Sequence, residues 1–279
     1  MAAQTPMMRQ YKEIKARHRN EILFFRLGDF YEMFFEDAET ASRVLGLTLT
    51  ARGKESGRPI PLAGIPWHKL DHYVDRLLQA GHKVAICDQT EDPKKAKGLV
   101  KRGVTEIATP GTALGSTLQT KQANFLAAVR PGERDEPVGL AAIDVTTGDF
   151  RIGVFSRDEW LDELSRLGPA EIVLPDGEDT EHLFDDLDRA PSVSRMPDWA
   201  FSIEEGDRIL RDHFRVETLD GFGARGAEQA VGAAGALFSY LKDLGRSNLA
   251  HVDRLARIES GAHLVLDEST RRNLELFRA

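Results

Sequence analysis

Cysteine is nearly absent. Cys87 is the single thiol in 279 residues, which excludes an internal disulfide framework and fits a reducing compartment. Long hydrophobic runs are missing too: no uninterrupted apolar stretch approaches the ~20 residues that span a bilayer. Met1-Ala-Ala-Gln-Thr5 leads straight into the charged stretch 9–21, with no signal-peptide core. A cytoplasmic protein with no membrane partner is the expectation. No Gly-x-x-x-x-Gly-Lys-Ser/Thr phosphate loop occurs. Its nearest look-alike, Gly111-Thr-Ala-Leu-Gly115-Ser-Thr117, lacks the lysine and does not open a helix after a strand. No catalytic centre, cofactor or metal is therefore expected of these residues. Strong positive charge is also lacking, the net charge being −8. Residues 1–115 carry 18 Lys and Arg against 14 Asp and Glu, and the remainder 19 against 31. That asymmetry permits a polyanion partner for the first part only, though a strongly basic nucleic-acid binder shows far more.

What is present is organised as two α/β units and a fragment. Residues 6–20 alternate Met8, Tyr11 and Ile14 with Lys12, Lys15, Arg17 and Arg19, the pattern of an amphipathic helix with a basic face. Strands are expected at 21–27, 47–50, 82–89 and 104–108, and helices at 37–45 and 66–80. Residues 30–35 continue extended or turn into the next element, and 51–57 read as a polar, basic loop. This mixed α/β domain covers 1–113. A linker follows at 114–122, in a stretch carrying Gly and Thr. The second unit, 123–246, opens with alternating strands at 139–145 and 149–155 around a hairpin turn at 146–148. It continues with a helix at 156–167, a strand at 171–174 and helices at 204–214 and 226–244. The last of these is rich in Ala and Gly, as in close packing. Residues 247–279 have no partners with which to build a core and read as the truncated start of a further, helical element.

The stretch Arg26-Leu-Gly-Asp-Phe-Tyr-Glu-Met-Phe34 places Phe30 and Glu32 two residues apart after a Gly28-Asp29 break. In an extended chain both side chains point to one face, with Tyr31 and Met33 on the other. A flat ring beside one acid suits a wedge that unstacks a base and a group that probes the base's edge. The competing reading is an ordinary half-buried strand whose phenylalanines are core.

Six motifs together resemble the amino-terminal part of the MutS family of bacterial DNA mismatch-repair proteins. They are Gly28-Asp-Phe-Tyr-Glu32, Pro61-Leu-Ala-Gly-Ile-Pro66, Val84-Ala-Ile-Cys-Asp-Gln89, Thr109-Pro-Gly-Thr112, Asp144-Val-Thr-Thr-Gly148 and Leu266-Asp-Glu-Ser-Thr-Arg-Arg-Asn-Leu274. The resemblance implies a mixed-sheet mismatch-binding domain, then a ribonuclease-H-like connector, then the start of a helical core. It implies double-stranded DNA with mismatches or small loops as ligand. In that family the Phe stacks on the mispaired base from the minor groove of kinked DNA and the Glu hydrogen-bonds the same base, roles that fall on Phe30 and Glu32. It further implies a homodimer in which one subunit makes this contact, and a downstream repair protein docking on the connector. ATP and Mg²⁺ belong to the full-length family, a DNA-dependent ATPase whose phosphate loop these residues lack.

Physics favours the same assignment. A mispaired step is already poorly stacked, so a wedge costs less there than at a matched step. Discrimination can then come from deformability rather than from reading letters. An acid facing phosphates makes sense only as a specific base contact.

Other groups admit two readings each. Arg52, Lys54 and Arg58 could hold phosphates or decorate a solvated loop. Lys94 and Lys95, in a basic run with Lys97, Lys101 and Arg102, could contact the DNA backbone or simply be solvated. His68 and His72, four apart, share a helix face as zinc ligands do, but no third ligand is recognisable and surface histidines are the plainer account. Trp67 reads as packing rather than a second wedge. Asp144 stands where ribonuclease-H-like nucleases carry their first metal-binding aspartate, with Asp149 across the turn; no further carboxylate joins them, so a relic of the fold is the better account. The acidic run Glu178, Asp179, Glu181, Asp185, Asp186 and Asp188 looks like a solvated helix face. The alternative function is a protein-interaction fragment, its connector docking to a repair partner, with little independent DNA binding.

Overall fold

A computed structural model of the chain describes residues 5–55, 57–91, 98–113, 123–132, 136–178, 183–184, 187, 190–246 and 249–258. It divides into two units, 1–121 and 122–279. The expected linker lies outside the described residues, as do Lys94, Lys95, Lys97, most of the acidic run and the helix expected near the end of the chain. Among the described residues no helix is long and apolar enough to cross a membrane.

The first unit is one six-stranded sheet between helices. Its elements are α1 (Pro6–Lys15), β1 (Glu21–Leu27), β2 (Phe30–Phe34), α2 (Phe35–Leu45), β3 (Thr50–Glu55), β4 (Arg58–Pro66), α3 (Leu70–Gln79), β5 (Lys83–Gln89) and β6 (Arg102–Ala108). The order is β3-β4-β2-β1-β5-β6, antiparallel throughout except for β1 beside β5. Alternation sorts each strand's side chains between two cores. Ile22, Phe24, Tyr31 and Met33 face α2 and α3, whose Ala38, Ala41, Leu45, Val74, Leu77 and Leu78 close that side. Leu23, Phe25, Phe34, Ala85 and Cys87 face α1 through Met8, Tyr11 and Ile14. Burial pushes the Cys87 thiol up to about 12, so it stays protonated and inert. Among the described residues, α1, ten residues and so about 15 Å long, is the helix that covers the second face. Tyr11 seats that helix over the Phe34 end of β2: its ring meets Phe34 edge-on at 4.9 Å, and its hydroxyl donates to the Phe34 carbonyl at 3.3 Å. The Phe30 end, four residues and ~13 Å further along, is left bare.

Two expectations fail here. Residues 47–49 are not in a strand, and the basic stretch expected as a loop instead carries strand β3 at Thr50–Glu55, which forms a β-hairpin with β4. Burial could not reveal β3, because Thr50, Ala51, Arg52, Gly53 and Lys54 are all exposed at the sheet's edge. Prolines disguised β4. Pro59 and Pro61 sit where β3 is its one paired neighbour, so a missing N–H can face an open side. The extended run from Phe30 ends at Phe34, and Phe35 turns into the next element, α2, at φ 55°, one of the two readings the sequence offered.

The second unit contains β7 (Phe125–Arg130), β8 (Val138–Asp144), β9 (Asp149–Phe155), α4 (Trp160–Leu167), β10 (Glu171–Pro175), β11 (Ser192–Met196), α5 (Ile203–Phe214), α6 (Glu228–Asp243) and β12 (Ala256–Arg257). Its sheet runs β11-β10-β7-β8-β9-β12. An antiparallel β7-β8-β9 meander is extended by parallel β10 and β11, the ribonuclease-H-like arrangement. β7 and β8 are buried on both faces, so they show continuous apolar runs in place of alternation. The Ala- and Gly-rich helix is α6, and the close packing is real: a Cβ on Gly235 would lie 2.4 Å from the Cα of Gly206 in α5. Residues 249–258 do not begin a separate body. β12 pairs with β9, and Val252 and Ile258 are buried. A two-residue strand has no readable period, which is why the sequence assigned it elsewhere.

Candidate nucleic-acid interface

The tip of the β1–β2 hairpin is built by its turn. Gly28 adopts φ 59°, and with Asp29 it links Leu27 to Phe30, which pair across the ladder. Arg26 braces the turn. Its Nε–H donates to the Gly28 carbonyl at 2.5 Å, and its guanidinium lies 5.2 Å from the Tyr31 ring centroid and 5.0 Å from that of Trp67. Trp67, just after β4, closes the frame, its backbone N–H donating to the Asp29 carbonyl at 2.9 Å. Below, Tyr31 donates its hydroxyl to Asp88 at 2.9 Å, and burial pushes its pKa up to about 12. The tip is therefore a rigid support rather than a loose loop.

On that support Phe30 is 48% exposed, while Phe24, Phe25 and Phe34 of the same sheet are fully buried. Leaving such a ring in water forgoes about 2 kcal/mol of burial. Glu32 stands on the same face, as the two-residue period requires, with Tyr31 and Met33 buried on the other. The Glu32 carboxylate is not free: Arg52 Nη1 lies 3.0 Å and 3.2 Å from its two oxygens. Arg52 comes from β3, at the bulge between Ala51 and Lys54. The pairing was invisible in the sequence because it depends on a hairpin the sequence hid.

The remaining candidates divide. Lys54 and Arg58 are exposed on the β3–β4 hairpin. Arg102 is turned inward: its guanidinium covers the Phe25 ring at 5.1 Å and donates to the Arg26 carbonyl at 2.6 Å and to Gln10 at 3.0 Å. It braces the sheet and is not displayed to a phosphate. Trp67 is 49% exposed, so it both packs and presents a ring. His68 and His72 are exposed beside Trp67 and Tyr73, and no group of three candidate metal ligands occurs among the described residues.

In the second unit, Asp144 is buried and serves the backbone. It accepts from the amides of Thr146 at 2.9 Å, Thr147 at 3.2 Å and Asn124 at 3.2 Å. Asp149 is held by Arg151 through two bonds, of 2.9 Å and 2.5 Å. A carboxylate so fully engaged as a turn cap is a poor metal ligand. Asp144→Ala should lower stability by about 1–3 kcal/mol by orphaning those amides, seen as a reduced denaturation midpoint. Metal-dependent DNA cleavage by the parent chain, lost in this variant, would instead point to a nuclease.

Comparison with known proteins bears on the whole chain. The family description MutS domain I matches residues 5–117, and MutS domain II matches residues 124–253. The chain is 46% identical over 283 residues to the DNA mismatch repair protein MutS of Solibacter usitatus (strain Ellin6076), covering 99% of this chain and 32% of that protein. It is 45% identical over 285 residues to the protein of the same name from Myxococcus xanthus (strain DK1622), covering 100% of this chain and 32% of that one. The chain thus spans about a third of the length of the relatives it matches. With two successive domain matches laid over two separate α/β units, and a hairpin tip that displays one phenylalanine beside one acid, the chain belongs to the MutS family of DNA mismatch-repair proteins.

Proposed function

We propose that this chain binds mismatched DNA, inserting Phe30 beside the mispaired base from the minor groove while Glu32 contacts that base. Residues 1–113 form the mismatch-binding domain on this reading, and 123–246 the connector. The observation that carries it is the exposure of Phe30 on a braced turn, in a sheet whose other phenylalanines are buried. Lys54, Arg58 and, once released from Glu32, Arg52 supply phosphate contacts around the wedge; Lys94 and Lys95, outside the described residues, are further candidates for backbone contact by their charge alone. No cofactor is assigned to these residues. ATP and Mg²⁺, the homodimer, the downstream repair partner at the connector and the cytoplasmic setting belong to the longer family protein.

The test is duplex binding at low salt, comparing a single G·T mismatch or one unpaired base with the perfect duplex. A preference for the mismatched duplexes is the expected result. Affinity will be modest and its salt dependence shallow, because a first part with only 18 cationic against 14 anionic side chains neutralises few phosphates. Equal binding to both duplexes would favour the alternative, a protein-interaction fragment that binds DNA poorly by itself.

A further inference from the structure

The Arg52–Glu32 pair has a consequence for specificity beyond the wedge. Without DNA, the acid that would meet the base is already occupied, both oxygens lying within 3.2 Å of Arg52 Nη1. The two partners differ in exposure: the Glu32 side chain is 17% exposed and that of Arg52 56%. Glu32 is therefore sheltered by Arg52, and the arginine is the member a phosphate can reach. Arg52 also sits at a bulge on the terminal strand of the sheet, whereas Glu32 is on a central one.

We infer that Arg52 is a specificity-determining residue: it neutralises Glu32 against a perfect duplex and exchanges that carboxylate for a DNA phosphate only when Glu32 finds a mispaired base. The inference rests on the wedge reading. At a matched step the base edge is engaged in its pair and offers Glu32 nothing new, so the ion pair persists and cancels the repulsion between carboxylate and phosphates. At a mismatch Glu32 turns to the base, and the freed guanidinium, which no longer has an anion beside it, takes the nearest phosphate with its fork of donors. Breaking the pair is then offset by two new contacts. Arg52 thereby lowers discrimination in exchange for tolerable contact with ordinary duplex, which lets the chain search DNA.

The signature is non-additive. Replacing Arg52 with Met removes the charge while keeping an extended side chain at an exposed edge position, where the fold is little affected. On perfect duplex, Arg52→Met leaves Glu32 unneutralised, and affinity should fall by about threefold, the size typical of a partly exposed ion pair. On a G·T duplex the lost phosphate contact is balanced by an ion pair that no longer has to break, and affinity should change by less than about twofold. The ratio of mismatched to perfect binding therefore rises about threefold. In the Glu32→Gln background the same change should weaken both duplexes alike and leave the ratio where it was.

The experiment is a double-mutant cycle on the full chain: wild type, Arg52→Met, Glu32→Gln and the double variant, each titrated with perfect and G·T duplex at low salt, with Phe30→Ala beside them and a thermal melt for each. A ratio raised by Arg52→Met only when Glu32 is present supports the inference. Equal weakening of both duplexes in both backgrounds overturns it and makes Arg52 a plain phosphate contact. A ratio that responds to Phe30→Ala and Glu32→Gln but not to Arg52→Met overturns this inference alone, while a ratio flat in every variant overturns the wedge reading and this inference together.

Discussion

Phe30→Ala is expected to abolish the preference for a mismatched over a perfect duplex while leaving weak binding to the perfect duplex in place. The ring is 48% exposed, so its removal deletes little packing, and stability should stay within about 0.5 kcal/mol of the wild type. On the proposed wedge reading, what it deletes is the group that fills the gap opened between bases. Stacking of a base on an aromatic side chain contributes about 1–3 kcal/mol by alanine substitution, so affinity for a G·T duplex should fall roughly 5- to 150-fold. Perfect duplex should lose little, because at a stacked step the unstacking energy, on the order of a few kcal/mol, keeps the wedge out. The ratio of the two affinities therefore collapses toward one. The measurement is a titration of labelled duplexes with wild type and variant, with a melt to show that the variant is folded. A preference that survives in the variant would place recognition elsewhere on the chain, and Trp67, equally exposed beside the same turn, would be the first residue to examine.

How much of this could be read from the sequence follows from which interactions are local. The shared face of Phe30 and Glu32 was legible because a strand has a period of two and the Gly28-Asp29 turn fixes where it begins. The helices α1, α2 and α3 were legible because apolar residues recur at helical spacing and Gly46 and Gly81 end two of them at positive φ. The hairpin of β3 and β4 was not, because its strands are defined by backbone pairing at a sheet edge, with exposed charges and prolines in place of an apolar stripe. That one gap hid the most informative contact of the site: a basic loop has no partner that can be named, whereas a bulged edge strand can bring Arg52 to Glu32. Asp144 shows the opposite case. Its place in a motif read as a relic of a metal-binding fold, but its actual use is set by three backbone amides that no spacing could announce. Arg102, read as part of a basic run, is likewise committed inward by the Phe25 ring and the Arg26 carbonyl.

Glu32→Gln should keep or raise affinity for DNA while reducing discrimination. The sign follows from two charge effects that point the same way. A carboxylate near the minor groove repels phosphates within a Debye length, about 10 Å at 0.1 M salt, and the amide does not. The substitution also releases Arg52, which is no longer held 3.0 Å from an anion and becomes available to a phosphate. The first gain applies to both duplexes, the second to perfect duplex, since at a mismatch Arg52 has already left Glu32 for a phosphate; both shrink as salt is raised. What is lost applies to the mismatch alone: a charge-assisted contact to the mispaired base becomes a neutral one, roughly half as strong. Perfect-duplex affinity should therefore rise several-fold at low salt, mismatch affinity should hold or rise less, and their ratio should fall. The decisive comparison is that ratio at two salt concentrations, since repulsion by phosphates fades with screening while a specific base contact does not. Equal discrimination in wild type and variant at both concentrations would remove Glu32 from the recognition step and leave it a partner of Arg52 alone.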